Sequence, residues 1–455
     1  MQTIPNRPQR TLFPARYVLV LWLFVLSAVA YLDRTNISIA GVQIGHEFRM
    51  DNTRLGWVFS AFLIGYASFQ IPAGLLARRL GARLVLTLGV AWWSLFTILT
   101  ALVPPTMAGA LWMLALVRLA LGAGEATMYP ATAQFVERWF PIEERGKANG
   151  IIFGGIGIGS GLTPPLVAAI ILHFGWRASF WFSAILGAGA GLIWFIAARD
   201  APEEHSLVGV EETAHIAARR RISTGDADAG KNGPPWQVIF TSPSVVGVTL
   251  SYFAFGYVAW IFFAWFYIYM AQVRGLNLKT SAVYSMLPFI AMTIGCLLGG
   301  LVSDWIASRY TLRLGRCLLP GVALVVTALL LVVGSRAHSP AAAGFILALG
   351  AGTLYVAQSG FWAVTADIAG EHVGVVSGIM NMGGQVGGAC TASLTPLIAA
   401  HFGWDMSFAT AALIALAGGI AWFAVDPQAG SFGNHGRAVS NIHPSPVLLE
   451  GLGSN

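Results

Sequence analysis

Apolar stretches follow one another along most of the chain and are separated by short polar segments. Twelve of them lie near residues 17–44, 55–77, 84–103, 108–132, 148–172, 177–198, 243–270, 282–307, 316–334, 341–366, 373–400 and 405–425. A helix needs about 20 mainly apolar residues to cross a bilayer. Each stretch is about that long, so the pattern predicts an all-α membrane protein with twelve transmembrane helices.

One polar segment is much longer than the others and divides the chain in two. It covers residues 199–242 and predicts a cytoplasmic linker, with a short amphipathic helix followed by a flexible, turn-rich part. On either side we expect a bundle of six helices, at 17–198 and 243–426. A cytoplasmic N-terminal tail at 1–16 and a C-terminal tail at 427–455 complete the predicted organisation.

Two sequence echoes indicate that the halves are repeats of each other. The segments His173–Phe180 and His401–Phe408 match at six of eight positions and lie 228 residues apart. A second similarity, at a separation of 226 residues, relates segment 74–83 after the second stretch to segment 300–309 after the eighth. Parallel repeats of this kind place a transported substrate near the middle of the membrane, between the two halves.

The composition narrows the class of protein further. Hydrophobic residues make up 56% of the chain and charged residues only 10%, whereas an average soluble chain is about 25% charged. A soluble enzyme could not bury so much apolar surface, and a disordered chain would be far more polar. The apolar stretches contain no metalloprotease, nucleophile-elbow or paired-aspartate motif, so we predict that the protein is not an enzyme.

The positive charges follow the predicted topology. With a cytoplasmic N-terminus, 18 of the 26 Lys and Arg residues fall on the cytoplasmic side and six on the opposite side. This bias is the positive-inside rule, and it places both termini in the cytoplasm. The net charge of +6 is therefore a topology signal, and we expect no nucleic-acid partner. The cysteines and histidines lack metal-ligand spacing, so we expect no metal.

Four ionisable residues are expected deep inside the apolar stretches: Asp33, Arg34, Arg118 and Glu125. A charge at the bilayer centre costs at least ~2.5–3.5 kcal/mol, so these side chains should line a polar cavity. Arg118 and Glu125 are seven residues apart, which puts them about 20° apart around one helix. Asp33 points about 100° away from Arg34, which suggests different tasks for these two neighbours.

These residues predict an anion site linked to protonation. Arg34 and Arg118 offer guanidinium forks that match the two oxygens of a carboxylate. Asp33 and Glu125 would carry protons, because burial favours a neutral carboxyl group and a nearby arginine favours the carboxylate. When substrate binds to the arginine, the arginine would no longer hold the neighbouring acid in its ionised form, and the acid could take up a proton. The alternative is that Arg118–Glu125 and Arg34–Asp33 are fixed packing pairs.

Seven short segments resemble one transporter family. They are residues 31–36, 59–72, 74–83, 118–130, 139–145, 361–362 and 381–384. With the six-plus-six organisation they resemble the major facilitator superfamily, and within it the anion:cation symporter group. That group includes bacterial sugar-acid, tartrate, phthalate and hydroxyphenylacetate permeases and animal sialic-acid, phosphate and glutamate carriers. The resemblance covers roughly residues 15–426.

The resemblance implies roles for particular side chains. The matching arginines of the group contact the anion and the matching acids couple protons, which agrees with the roles given above. Positions that the sugar-acid permeases use for substrate hydroxyls or ring faces are matched here by Tyr66, Ser359, Trp362 and Asn381. Those permeases carry a glutamine where this chain has Gly155. We therefore expect space in the site for a bulkier or less polar acid.

A cytoplasmic gate is implied by the loop that follows the second stretch. In the family, an aspartate of this loop pairs with basic residues and holds one gate closed. The gating residues predicted for the two halves are Gly74, Arg78, Arg83, Gly300, Asp304 and Arg309. Because Arg78 replaces the aspartate in the first half, we expect the pair of Asp304 with Arg309 to carry more of the gate.

These observations together predict a secondary active transporter in the plasma membrane, with a bacterial inner membrane favoured. It would take up a small organic anion, such as a sugar acid or other carboxylate, by alternating access and with protons. No cofactor is expected apart from the proton as coupling ion. The expected partners are the anion and the lipid bilayer, with the protein acting as a monomer. An organic-anion exchanger or exporter is the alternative, and a membrane sensor without transport is a less favoured one.

Overall fold

The structure is a computed structural model that describes residues 14–219, 236–369 and 373–427. All regular elements within these ranges are helical, which confirms the predicted all-α class. In the same ranges, eleven helices are long and apolar enough to cross a membrane. The predicted tails and the turn-rich part of the linker lie almost wholly outside the described residues.

Six long helices form the described part of the first half. They are α1 (Ala15–Glu47), α2 (Asn52–Leu80), α3 (Ala82–Leu102), α4 (Ala110–Trp139), α5 (Ile142–Phe174) and α6 (Trp176–Ala197). Asp51 caps α2 by accepting a hydrogen bond from the backbone N–H of Arg54. Gly81 and Gly175 have φ values of 87° and 80°, which allows the tight turns between consecutive helices.

The linker contains short helices between the two halves. A 3₁₀ turn covers Pro202–Glu204, and the helices Val210–Arg219 and Trp236–Thr241 follow. The helix Val210–Arg219 carries acidic residues in its first turn and has Ile216 in a buried position. The short amphipathic helix that the sequence predicts in this region is therefore present.

The second half, as far as it is described, has six long helices as well. They are α7 (Pro243–Ala264), α8 (Leu278–Arg309), α9 (Leu314–Ser335), α10 (Pro340–Ala369), α11 (Val373–Phe402) and α12 (Trp404–Ala421). A π-helical turn, Tyr269–Val273, continues the line of α7. Eleven of the twelve long helices are apolar enough in composition to cross a membrane, and α11 is less apolar than the others. Glycines and polar residues such as Asn381 and Gln385 interrupt its apolar positions.

The same helix pairs pack against each other in both halves. Helix α1 packs on α5, α2 on α4 and α3 on α6, and the equivalent pairs α7–α11, α8–α10 and α9–α12 form in the second half. The halves meet along α2–α11 and α5–α8. This pairing is the pseudo-symmetry that the sequence echoes predicted, and it places α1, α2, α4 and α7 around the centre of the molecule.

Glycines allow several of these helix pairs to approach closely. A Cβ at Gly122 would overlap the carbonyl oxygen of Phe62 on α2, and one at Gly159 would overlap that of Ala28 on α1. Small residues at helix contacts permit such approach in membrane proteins. Such glycines of α5 therefore serve the close packing of this helix on α1.

The two ends of the bundle differ. We call the end at which α2 finishes and α3 begins the basic end, because Arg78, Arg79 and Arg83 lie there. We call the opposite end, at which α1 finishes, the far end. The halves are in close contact toward the far end, where Ser38 donates to the carbonyl oxygen of Ala264 at 2.7 Å.

Candidate functional site

An ion pair between Arg34 and Glu125 lies at the centre of the molecule. The Nε atom of Arg34 on α1 is 2.6 Å from Oε2 of Glu125 on α4, and the two side chains are 2% and 0% exposed. Nη2 of Arg34 and Oε1 of Glu125 have no hydrogen-bond partner among the described residues. The pair is thus only half satisfied, and it leaves one donor and one acceptor for another group.

Aromatic rings surround the guanidinium of Arg34. Its Cζ lies 4.6 Å from the ring centroid of Tyr31 and 4.5 Å from that of Tyr66. The ring of Phe62 is 5.7 Å away. Ring faces attract a cation and exclude water, so these contacts hold the guanidinium in place without neutralising its charge. Tyr66, predicted to contact substrate, lies beside the central arginine.

The second central arginine has no ion-pair partner in the part of the chain that the structure describes. Arg118 on α4 is 2% exposed, and the ring of Phe62 lies 4.9 Å from its Cζ. Its Nε atom also lacks a hydrogen-bond partner among the described residues. A buried charge without a partner is costly. An anion bound beside Arg118 would remove that cost.

A small cavity separates the two arginines from the second half of the molecule. It is lined by Arg34, Ile37, Phe59, Phe62, Leu63, Arg118, Trp260, Phe263 and Ala264. Helices α1, α2 and α4 supply one side and α7 the other. The cavity has room for about one water molecule. A larger anion therefore enters only when the halves separate.

Asp33 lies apart from this cavity, although it is the neighbour of Arg34 in sequence. Its side chain is buried, and neither carboxyl oxygen has a hydrogen-bond partner among the residues described. One turn further along α1, Asn36 donates to Ser183 and accepts from Ser179, both on α6. This face of α1 is therefore turned into the first half. The predicted angle between Asp33 and Arg34 agrees with this placement.

The other predicted contacts do not line the cavity in this conformation. Asn381 on α11 donates to Oε1 of Gln70 on α2 at 3.0 Å. Ser359 lies next to Gly300, and its buried Oγ has no partner in the described chain. Trp362 is 39% exposed, and its ring centroid is 6.5 Å from that of Tyr252. Substrate contact by Asn381, Ser359 and Trp362 stays a prediction.

The expectation for Gly155 is wrong as stated. A Cβ at this position would overlap the carbonyl oxygen of Phe24 and lie 3.0 Å from Cβ of Ser27. Gly155 therefore faces the backbone of α1 and not an open cavity. Its missing side chain lets α1 and α5 approach, and it leaves no space for a bulkier substrate. The sequence could not reveal this, because the direction of a residue depends on how the helix is rotated.

The gate residues make contacts that differ in part from the expected ones. Asp304 forms an ion pair with Arg316 at 2.8 Å. The predicted pair of Asp304 with Arg309 is not among the ion pairs of the described residues. Arg316 follows the turn into α9 and also donates to Ser303 at 3.1 Å. The sequence spacing did not single out Arg316, because a turn brings it back over the end of α8.

In the first half, the predicted gate residues lie around the turn from α2 to α3. The backbone N–H of Arg83 donates to Asp200 at 2.9 Å, and its Nε donates to the carbonyl oxygen of Phe195. A Cβ added at Gly74 would lie 3.7 Å from Cβ of Pro130. Arg78 lies in the last turn of α2. The gating role of the six residues stays a prediction.

Sequence reasoning missed the contribution of several aromatic residues to the site. Phe59, Phe62, Trp260 and Phe263 line the cavity, but aromatic side chains are frequent throughout the chain and most of them pack in the core. Phe62 lies within a segment that carried the family resemblance. Its position four residues before Tyr66, on one helix face, is the signal that could have identified it.

Comparisons with known proteins were made for the whole chain. A family model described as Major Facilitator Superfamily matches residues 23–390. A probable sulfoacetate transporter of Cupriavidus necator is 30% identical over 415 residues, covering 90% of this chain and 94% of that protein. The hexuronate transporter of Bacillus subtilis is 30% identical over 410 residues, covering 89% and 92%.

Solved structures agree on the architecture. A bacterial homologue of the human lysosomal transporter Spinster, in an inward-facing and unoccupied conformation, matches with a TM-score of 0.72 and 17% identity, over 90% of this chain and 96% of that chain. A D-xylose–proton symporter matches with a TM-score of 0.69 and 13% identity, over 91% and 98%. At these identities the match shows the fold alone.

Proposed function

The chain belongs to the Major Facilitator Superfamily and is a multi-pass membrane transporter of organic anions and not an enzyme, and we propose that it takes up a small carboxylate together with protons. Transport would occur across the plasma membrane by alternating access, with the proton as the coupling ion and the monomer as the working unit. The names of the relatives support the anion. Proton coupling rests on the arrangement of charged residues at the centre, and the inward direction follows from coupling to a proton gradient that is acidic outside.

The observation that carries the proposal is the unmatched guanidinium of Arg118. Arg34 has Glu125 as its counter-ion at 2.6 Å, whereas Arg118 faces the cavity with no ion pair among the described residues. When Glu125 is ionised and Asp33 is protonated, the two arginines therefore leave one positive charge in excess beside the cavity. A carboxylate between the two arginines would neutralise that charge and use the free Nη2 of Arg34.

Competition for Arg34 links anion binding to protonation. The arriving carboxylate first binds the free Nη2 atom of Arg34 and then shares this guanidinium with Glu125. As the guanidinium turns toward the substrate, Glu125 becomes a buried carboxylate without its cation, which is less costly once it is neutral. Glu125 would thus take up a proton as the anion binds. Asp33, buried without a hydrogen-bond partner in the described chain, is the second proposed proton carrier.

The walls of the cavity would move as the halves move. Trp260 and Phe263 belong to the second half, whereas Arg34 and Arg118 belong to the first. Rocking of one half against the other therefore opens the cavity toward one end and closes it toward the other. The gate residues at the basic end are proposed to stabilise the state in which that end is closed.

The test is uptake by the purified full-length protein in liposomes with an acidic exterior. The panel comprises one sugar acid, one aromatic acid and one dicarboxylate, each radiolabelled. We expect uptake of at least one anion, collapse of accumulation on adding an uncoupler, and loss of uptake in Arg118→Ala. Glu125→Gln should bind the anion but no longer concentrate it against the gradient.

Three outcomes would contradict parts of the proposal. Uptake that ignores the pH gradient and requires a trapped internal anion would show exchange, and the roles given to Asp33 and Glu125 would fall. Binding without flux would indicate a sensor. Normal uptake by Arg118→Ala would place the anion elsewhere. Arg54→Ala, an exposed arginine near the start of α2, is the control for an arginine substitution as such.

A further inference from the structure

We propose that the preferred substrate of the central site is an aryl monocarboxylate, such as a benzoate or a phenylacetate, and not a polyhydroxylated sugar acid. This inference rests on the proposed function and names the class of anion. It follows from the chemistry of the cavity walls, from the number of free charges and from the position of the rings relative to Arg118.

Apart from the arginines, the cavity walls have almost no side-chain groups that could form a hydrogen bond with a substrate hydroxyl. Apart from the two arginines, the described residues that line it are Ile37, Phe59, Phe62, Leu63, Trp260, Phe263 and Ala264. None of these carries a hydroxyl or an amide in its side chain. A substrate hydroxyl buried there without a partner would weaken binding at least about fivefold, and a sugar acid would bury several.

Three polar side chains of the central helices make contacts within the protein. The amide of Asn381 donates to Gln70 at 3.0 Å. The hydroxyl of Ser38 donates to the carbonyl oxygen of Ala264, which is a wall residue, at 2.7 Å. The edge of the Trp260 ring that carries Nε1 packs on Gly388 of α11. These groups are therefore held by contacts within the protein and are not offered to a ligand.

The rings of the cavity pack on one another in the geometry in which they would pack on an aryl group. The centroids of Phe62 and Trp260 are 6.4 Å apart with planes inclined by 57°, and those of Trp260 and Phe263 are 5.3 Å apart. Aromatic pairs favour centroid distances of about 4.5–7 Å in tilted or offset arrangements. Phe62 belongs to the first half and Trp260 to the second. When the halves separate, an aryl ring would replace the contact between them.

The charge favours a single carboxylate. Glu125 occupies one side of Arg34, and when Asp33 is protonated the charge of Arg118 is the excess beside the cavity. Phe62 lies 4.9 Å from Cζ of that arginine, so the place for a carboxylate adjoins the place for a ring. An aryl monocarboxylate presents these two groups next to each other. The hexuronate and sulfoacetate named for the relatives lack such a ring.

The experiment compares two monoanions of similar charge on full-length protein in nanodiscs. Phenylacetate and glucuronate are titrated by isothermal calorimetry, and their uptake into liposomes is measured in parallel. We expect phenylacetate to bind at least about tenfold more tightly. Phe263→Asn places an amide in the wall and should reduce that preference at least about fivefold. Phe345→Asn, on the exposed outer face of α10, should leave the preference unchanged.

The results separate this inference from the proposed function. Equal binding of the two anions, or tighter binding of glucuronate, in both cases lost in Arg118→Ala, would overturn the inference and leave organic-anion transport standing. If neither anion binds, and Arg118→Ala takes up every anion of the panel as the wild type does, both this inference and the proposed function are contradicted. The wild-type ratio alone decides the inference should Phe263→Asn fail to fold.

Discussion

The hydroxyl oxygens of Ser60 on α2 and Ser393 on α11 lie 2.7 Å apart. Ser60 also approaches the carbonyl oxygen of Ala389 at 2.7 Å. These contacts join the two halves of the molecule on the far-end side of the central arginines. The proposed alternating access requires the halves to separate on that side once in each cycle, so the contact between the two serines would break and re-form.

A disulfide at this position should stop transport. The variant Ser60→Cys with Ser393→Cys, in a background without Cys296, Cys317 and Cys390, places two thiols where the hydroxyls now meet, close enough for a disulfide. Oxidation should abolish uptake, because the far end can no longer open, and reduction should restore it. The measurement is liposome uptake before and after a thiol oxidant, with Ser60→Cys alone as the control. Full uptake by the cross-linked protein would contradict the proposed opening.

A side chain at Gly56 should prevent closure of the far end. A Cβ there would overlap the carbonyl oxygen of Ala392 and lie 3.0 Å from Cγ of Pro396. Overpacking of this kind costs about 1–3 kcal/mol, so Gly56→Val should shift the equilibrium away from the closed state roughly tenfold. We expect slow uptake with anion binding retained. Gly189→Val, which has open space around it, is the matched control and should transport normally.

The shape of the Arg118 side chain should matter as well as its charge. Arg118→Lys keeps the positive charge but loses the fork that matches two carboxylate oxygens. We expect Arg118→Ala to weaken anion binding roughly 10- to 150-fold, or ~1.5–3 kcal/mol, and Arg118→Lys to be intermediate. Calorimetric titration of the best-bound anion measures both. Arg54→Lys is the control, and an unchanged affinity in Arg118→Ala would argue against the site.

The variant Glu212→Gln should release the linker helix Val210–Arg219 from the start of α1. The carboxylate of Glu212 accepts from Nη1 of Arg16 at 2.9 Å and from the backbone N–H of Ala15 at 3.3 Å, and the side chains of Arg16 and Glu212 are only 9% and 11% exposed. A lost charge-assisted bond of ~1.5 kcal/mol should speed amide hydrogen exchange in Val210–Arg219 about tenfold. Glu211→Gln, its exposed neighbour, should leave exchange unchanged. Equal exchange in both variants would show that the contact does not hold the linker.

Some features of the site could be predicted from the sequence alone, because they depend on the free-energy cost of placing a charge in a membrane. A charged residue within an apolar span must face protein and not lipid. That rule identified Asp33, Arg34, Arg118 and Glu125, and the structure brings the last three, but not Asp33, to one cavity or its edge. The seven-residue spacing of Arg118 and Glu125 also determined that they share a helix face. Which acid pairs with which arginine did not follow, because the contact between α1 and α4 is a matter of packing.

Other features depended on helix rotation and on contacts between distant segments. Gly155 faces α1 and not the cavity, and Asp304 pairs with Arg316 and not with Arg309. The aromatic walls supplied by Phe62 and Trp260 come from different halves, and no local pattern links them. Helix α11 is only moderately apolar, because it packs on α2 and α7 and so exposes less of its surface to lipid.

The sequence by itself determined that this is a membrane protein of twelve helices in two repeated halves, with buried charges at its centre. Hydropathy, charge bias and helix period act over neighbouring residues, so a linear chain displays them. Only the tertiary structure decided that Arg34 has a counter-ion while Arg118 has none among the described residues, and that rings from both halves surround the space between them. Those relationships depend on the rotation and close packing of helices distant in sequence, which local physical rules leave open.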